Sequence, residues 1–389
     1  HAILEFNLAG PDFDEALARA GIAVRATVED PVSGQPKEVT LPVESLKHLT
    51  LKHVVRAVPE LAELAGKAEV IAKMKAPTVE ALREEIGDGP LLERMKGLVA
   101  PDDADSSGAT ADAGDASGDP DAIFERAEVA EPTAKSAIDM FVKSTSRAKK
   151  KAKPAARKLR DLVEEAAWGM AADVLRSPEA EAVESAWRGL RFVLSQCPKD
   201  AQMEVVVLET DATHLLEDLG ARERGDAVDE PDCIFVPQDF DSTDGLAELA
   251  EFAEQELIPV VVGASPALFD RASPAEVPEA FERLERATNE DAPAWTRGWD
   301  ELRTREATRW LAAVMNRVAL HAEGKGVAAR TTFASGVWGV AAMVASSYRS
   351  TGGFARIVGK AGSLQAPASH VIERGSSKDT AAPTEAFYP

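Results

Sequence analysis

Residues 101–120 interrupt the chain with a stretch that cannot contribute to a hydrophobic core. The stretch contains six aspartates among small residues, and it has no basic or large apolar side chain. Such a composition buries too little apolar surface to offset the entropy lost on ordering, so it predicts a flexible acidic linker. The chain of 389 residues is therefore expected to form two regions, 1–100 and 121–389.

The N-terminal region alternates between strand and helix periodicities. Leu4, Phe6 and Leu8 alternate as in a strand, and a helix follows from Asp12. The alternating runs 22–28 and 39–43 flank a turn and predict a β-hairpin. The apolar positions between Val54 and Met74 then predict one long helix, ended by Pro77.

The C-terminal region predicts an α/β fold. Runs 203–208, 233–236 and 258–262 have the composition of strands. Ser242 is positioned to cap a helix between the second and third of these strands. A strand, a helix and a strand in close succession predict a right-handed crossover that makes the strands parallel.

Charge and composition exclude some classes of function. The net charge of −22 disfavours nucleic acid as a partner, because the phosphate backbone would be repelled. The basic run 147–153 has no aromatic side chain beside it, and it is expected to be a solvated helix face or a contact with an acidic neighbouring subunit.

Localisation is expected to be cytoplasmic, with no insertion into a membrane. No apolar run reaches the roughly 20 residues that a membrane span needs. Cys197 and Cys233 indicate a reducing compartment and are expected to be buried small side chains. Because His1 is not an initiator methionine, the N-terminus is expected to be trimmed.

No catalytic, cofactor-binding or metal-binding residue is predicted. Gly263, Ser265 and Ala267 approach a hydrolase nucleophile elbow, but the final glycine is missing and Pro266 has no N–H for an oxyanion hole. A turn at the end of a strand is the preferred interpretation. His48 and His53 are five residues apart, which does not place them on one helix face.

Two aromatic and charged motifs remain as structural or interface candidates. The first is Trp187-Arg188-Gly189, in which Trp187 is expected in the core and Arg188 in a structural ion pair. In the second, a spacing of three to four residues would place Trp299, Arg303, Glu306 and Trp310 on one helix face, with Arg303 paired to Glu306. Internal contacts and interface contacts are both open for this second motif, which also includes Arg309.

These motifs resemble the contractile sheath proteins of type VI secretion systems. The large sheath subunit (TssC/VipB family) is similar in Trp187 to Leu190, in the segments 232–241 and 258–269, in the spacing from Trp299 to Trp310, and in Trp338. Region 1–100 resembles the small subunit (TssB/VipA family) at 11–17, 22–28, 58–61 and 91–98. The chain thus looks like a fusion of both subunits.

The resemblance implies an α/β sheath protomer that polymerises into a helical tube around an inner tube, with no enzymatic activity. The implied partners are further copies of this chain, an inner-tube ring protein, a baseplate and a ClpV-type unfoldase. Asn316 departs from the family, which usually has proline there, and the family continues beyond Pro389. The alternatives are a sheath-derived accessory protein that binds a baseplate without polymerising, and a cytosolic α/β enzyme.

Overall fold

A computed structural model describes residues 3–6, 12–74, 77–99, 154–198, 203–210, 214–223, 231–286, 292–354, 357, 364–374 and 377–386. The predicted linker 101–120 and the basic run 147–153 lie outside these residues. The division into regions 1–100 and 121–389 therefore stays a prediction.

The chain contains both helices and strands, and the strands form parallel and antiparallel sheets, which confirms the α/β class. The helices are α1 Asp12–Arg19, α2 Leu51–Ala57, α3 Pro59–Lys73, α4 Val79–Ile86, α5 Pro90–Lys96, α6 Pro154–Leu175, α7 Pro178–Gln196, α8 Leu215–Glu223, α9 Thr243–Glu256, α10 Val277–Arg286, α11 Trp295–Thr304 and α12 Gly336–Thr351. The strands are β1 Ile3–Phe6, β2 Ile22–Glu29, β3 Pro36–Val43, β4 Val205–Leu208, β5 Ile234–Phe240, β6 Val260–Ala264, β7 Leu311–Val314, β8 Val318–Glu323, β9 Arg330–Ala334, β10 His370–Arg374 and β11 Ser377–Ala382.

The described residues group into two compact units, each built from separate chain segments. The first contains His1–Ala26, Thr40–His53 and Leu175–Pro389, and the second contains Thr27–Val39 and Val54–Val174. Within the described residues, no helix is both long and apolar enough to cross a membrane.

A parallel three-stranded sheet, in the order β5-β6-β7, lies in the first unit. Ile234 pairs with Val260, and Val260 pairs with Leu311. Helix α9 connects β5 to β6, and its buried face, which includes Leu246 and Leu249, packs in the same core as Val260. The predicted parallel pairing is confirmed, and so is the cap, because Ser242 Oγ accepts a hydrogen bond from the Asp244 N–H.

The first unit also contains the antiparallel pairs β8 with β9, β10 with β11, and β1 with β4. In the last pair Ile3 lies opposite Leu208, so a strand from the start of the chain pairs with one from its middle. Helices α7 and α12 pack against each other, and α7 also packs on β9.

The second unit is built around α3, α4, α5 and α6, together with the turn between β2 and β3. The predicted pairing of these strands is confirmed. Their turn is closed by the Asp30 carboxylate, which accepts hydrogen bonds from Val32 N–H and the Ser33 hydroxyl, and Gly34 takes a φ of 68°. A Cβ at Gly89 would lie 1.6 Å from the Val32 carbonyl oxygen, so the α5 entry requires glycine.

The prediction of one helix from Val54 to Met74 is wrong. The chain forms α2 and α3 instead, with Val58 in an extended conformation between them and Pro59 opening the second helix. Proline lacks an N–H and is favoured in the first turn of a helix, so it starts a new helix at this point. The apolar stripe itself is correct, since Val54, Leu61 and Ile71 are fully buried.

Candidate functional site

The Trp187-Arg188-Gly189 motif lies on α7, and its glycine faces α12. A Cβ placed on Gly189 would lie 2.4 to 2.5 Å from three ring atoms of Trp338. Glycine is therefore what allows the Trp338 indole to rest directly on the α7 backbone. The structure thus brings together two of the predicted candidates, Gly189 and Trp338.

Trp187 lies on the same helix and contacts α1. Its ring meets Phe13 edge-on, with the ring centroids 5.6 Å apart and an interplanar angle of 82°. Leu190, the residue after the glycine, is buried against Ala16. The motif therefore joins α7 to α1 and α12 by close packing, and Trp187 is partly buried as part of this cluster.

Arg188 belongs to a buried cluster of charges, here called the charge cluster, that consists of Glu184, Arg188, Glu323 and Arg330. Glu184 has no exposed surface. Its Oε1 accepts from Arg188 Nε at 2.5 Å, and its Oε2 accepts from Arg330 Nη1 at 2.6 Å. Arg330 Nη2 also donates to Glu323 Oε1 at 2.7 Å. Arg188 is thus a paired structural arginine.

The charge cluster also binds the backbone of residues 49–51. The Leu49 carbonyl oxygen accepts from Arg330 Nη2 at 3.1 Å and from Arg188 Nη2 at 3.4 Å. The Leu51 N–H donates to Glu323 at 3.2 Å. Buried charges are tolerated when they are paired and hydrogen-bonded, and here the remaining donors and acceptors hold a main-chain segment.

The pKa shifts of Glu323 and Arg330 both favour their charged forms. Burial raises the pKa of Glu323, but the adjacent His321 and Arg330 outweigh this effect and hold that pKa below its ordinary value. Burial lowers the pKa of Arg330, whereas Glu184 and Glu323 raise it, and the net shift is upward. The four charged side chains pair with each other and bind the backbone of residues 49–51, so the cluster has a structural role.

The second candidate motif does not form one helix, so that prediction is wrong. Helix α11 ends at Thr304, Arg305 is extended, and Glu306–Trp310 form a separate 3₁₀ turn. The helix ends there because β7 begins at Leu311, and the chain must turn into the sheet beside β6.

The predicted pair of Arg303 with Glu306 is also replaced. Arg309 Nη1 donates to Glu306 at 2.8 Å, and Arg309 Nη2 donates to Glu254 on α9 at 3.4 Å. Both partners are substantially exposed, so these pairs contribute little to stability.

Aromatic packing accounts for Trp299. Phe269 is in edge contact with Phe281, Trp295 and Trp299, at centroid distances of 5.0, 5.1 and 4.9 Å. Trp310 packs against the same core, and its indole Nε1 is buried without a hydrogen-bond partner among the described residues. These contacts support the internal role for this motif.

Ser265 behaves as a turn residue, as predicted. Strand β6 ends at Ala264, and the Ser265 Oγ accepts from the Ala267 N–H at 3.2 Å to cap a short 3₁₀ turn. Burial raises the pKa of Cys197 and Cys233 to about 11, so both thiols stay protonated at neutral pH. Among the described residues, no group of three or more His, Cys, Asp or Glu side chains could hold a metal ion.

A third feature was not anticipated from the sequence. Residues 383–386 lie along β8 as a short extended segment, here called the tail segment. Arg317 donates to both carboxylate oxygens of Glu385 at 2.6 Å, and Asn316 exchanges two hydrogen bonds with the backbone of Ala386. The Ala319 N–H donates to the Pro383 carbonyl at 2.8 Å. Backbone hydrogen-bonding groups along this edge of β8 are thus paired with residues 383–386 of the same chain.

Comparisons with known proteins add no assignment. No protein-family model matches this chain, and no curated protein matches it.

Proposed function

We propose that this chain is a structural subunit of a contractile-sheath type, which assembles into a helical tube around an inner tube and performs no catalysis. The observation that carries the proposal is that the most distinctive motif, Trp187 to Leu190, is used to join chain segments. A sheath protomer must transmit force through its fold, and this motif links α7 to Phe13, Leu49 and Trp338.

The pairing of β1 with β4 supports the same proposal. Strand β1 belongs to the region that resembles the small subunit, and β4 belongs to the region that resembles the large one. The charge cluster crosses the same division, since Leu49 and Leu51 come from the first region and Arg330 from the second. Two regions that complete each other's sheets and ion pairs are what a fused pair of sheath subunits requires.

The tail segment favours a second candidate, a sheath-derived accessory protein that binds a tube or baseplate without polymerising. An exposed strand edge is a template for pairing with another chain. In this chain the edge of β8 is covered in cis by residues 383–386, with Val318 bridged to Thr384. A neighbouring chain could not add a strand there unless the tail segment left.

Electron microscopy and sedimentation velocity on the full chain distinguish the two candidates. Hollow helical tubes that grow with protein concentration are expected for the sheath subunit. A single species with the mass of one chain, 41.4 kDa, at every concentration would overturn the sheath proposal. The charge-removing variant Arg317→Gln, which removes the ion pair to Glu385 and so weakens the attachment of the tail segment, is the matched comparison. Tubes formed only by this variant would assign the wild-type chain to the accessory class.

A further inference from the structure

We propose that His48 and His53 form an acid-sensitive latch that holds residues 45–53 against the charge cluster. This inference is independent of the proposed function, because it concerns only how one loop is retained within the first unit. The two rings are stacked, with centroids 4.1 Å apart and an interplanar angle of 11°.

The loop geometry explains how residues five apart come into contact. His48 closes a turn in which its N–H donates to the Ser45 carbonyl at 2.9 Å, and His53 lies in the first turn of α2, with its N–H donating to the Thr50 carbonyl. The turn and the helix start therefore fold back on each other. Leu49 and Leu51, the residues bound by the charge cluster, lie between the two rings in sequence.

The two stacked rings lie on either side, in sequence, of the residues that the charge cluster binds. Arg330 and Arg188 hold the Leu49 carbonyl, and Glu323 holds the Leu51 N–H. These bonds form only if residues 49–51 keep the path that the stacked rings fix at both ends. Separating the rings would move the ends of this segment and weaken the bonds to the cluster.

Neutral imidazoles are compatible with this stack, whereas two imidazolium ions are not. Burial and the nearby His48 lower the pKa of His53. The His48 Nδ1 lies 3.2 Å from the Glu44 N–H, which it accepts when unprotonated, and 3.3 Å from the Pro42 carbonyl, to which it would donate when protonated. Because His48 opposes a charge on His53, acid places like charges on the stacked rings, and their repulsion is what opens the latch.

The charged residues beside the pair in sequence are Glu44, Lys47, Lys52 and Arg56. The causes of the lowered His53 pKa are burial and His48. Behind the loop, His321 Nε2 lies 3.6 Å from Glu323 Oε1, so protonation of His321 would strengthen the cluster. The charges of Glu184, Arg188 and Arg330 are already paired with each other and with Glu323.

The stacked geometry of His48 and His53 does not suit a shared metal ion, because the nitrogen lone pairs of the two rings lie in parallel planes and do not converge on one point.

The sign of the pH effect follows from the lowered pKa of His53. Folding favours its neutral form, so the stabilisation is complete above the ordinary histidine pKa of about 6.5. It is lost as the pH falls toward the lower value that His53 has in the folded chain. The loop is therefore expected to open progressively as the pH falls below about 6.5, while the lowered pKa of Glu323 keeps that carboxylate ionised.

Hydrogen exchange of the full chain tests the latch. Between pH 7.5 and pH 5, after correction for the intrinsic exchange rate, we expect exchange in residues 45–57 to accelerate roughly three- to tenfold, while α9 stays protected. Unchanged protection of residues 45–57 across this range would overturn the proposal.

Two variants separate the latch from other acid effects. His53→Phe keeps a flat ring for stacking but cannot be charged, and it should abolish the acceleration. His321→Gln should leave the acceleration in place or increase it. If His53→Phe opens with acid as the wild type does, the latch is refuted. A proton titration of the wild-type histidines by NMR provides a second test, in which a His53 pKa at or above the ordinary value would also refute it.

Discussion

Replacing Gly189 by alanine tests whether the contact between α7 and Trp338 supports the fold. The new Cβ would lie 2.4 to 2.5 Å from three indole atoms, closer than real contacts allow. Overpacking costs about 1–3 kcal/mol, and the rigid indole favours the upper part of that range. Alanine recovers about 1 kcal/mol through its higher helix propensity. The expected net loss in the free energy of unfolding is about 1–2 kcal/mol.

Gly66 provides the matched control. It lies within α3, and a Cβ there would meet nothing within 4 Å. Gly66→Ala is therefore expected to stabilise the chain by up to about 1 kcal/mol. Urea unfolding of both variants, followed by far-UV circular dichroism, gives the comparison.

A double-mutant cycle assigns the loss to the indole. Trp338→Phe shortens the ring system, so its cost should be smaller in the Gly189→Ala background, with a coupling energy of about 0.5–3 kcal/mol. A Gly189→Ala variant as stable as Gly66→Ala would refute the close-packing argument, and so would a coupling energy of zero.

Two further changes test other parts of the fold by the same unfolding measurement. Arg330→Met removes the buried ion pairs of Arg330 with Glu184 and Glu323 and should cost about 3–5 kcal/mol. Arg297→Met removes only an exposed pair with Glu301 and should leave the unfolding midpoint almost unchanged. Equal effects of the two changes would contradict the assignment of a buried cluster. Ser242→Ala removes the N-cap of α9 and should cost about 1 kcal/mol. Ser242→Asp should restore most of this stability. If Ser242→Ala is as stable as the wild type, the cap does not contribute to stability.

Local patterns predicted the elements whose formation depends on nearby residues. The parallel strands around α9 were identified from their apolar runs, and Ser242 from its position before an apolar periodicity, because both signals are contained within a few residues. Periodicity did not predict the helix breaks at Val58 and Arg305. The apolar spacing continues across each break, although the chain changes direction there, at Pro59 and at the entry to β7.

The charge cluster was not predictable in full from the sequence. Glu184 and Arg188 are four residues apart on a helix, which is a recognisable pairing distance. Their partner Arg330 lies 146 residues from Glu184, and the Leu49 carbonyl lies 281 residues from Arg330. Arg317 and Glu385 are 68 residues apart. Contacts over such separations are fixed by the assembled fold, and only an i, i+4 pair leaves a trace in a single sequence.

The grip of Arg330 on Leu49 has a consequence for the order of events during biosynthesis. Because 281 residues separate the two, Arg330 is synthesised roughly 15 to 60 seconds after Leu49 at a translation rate of about 5–20 residues per second. Strand β1 is likewise synthesised well before its pairing partner β4. Strand β1 and the Leu49 loop leave the ribosome long before β4 and Arg330, so both are exposed to chaperones and to wrong partners until those residues have been synthesised.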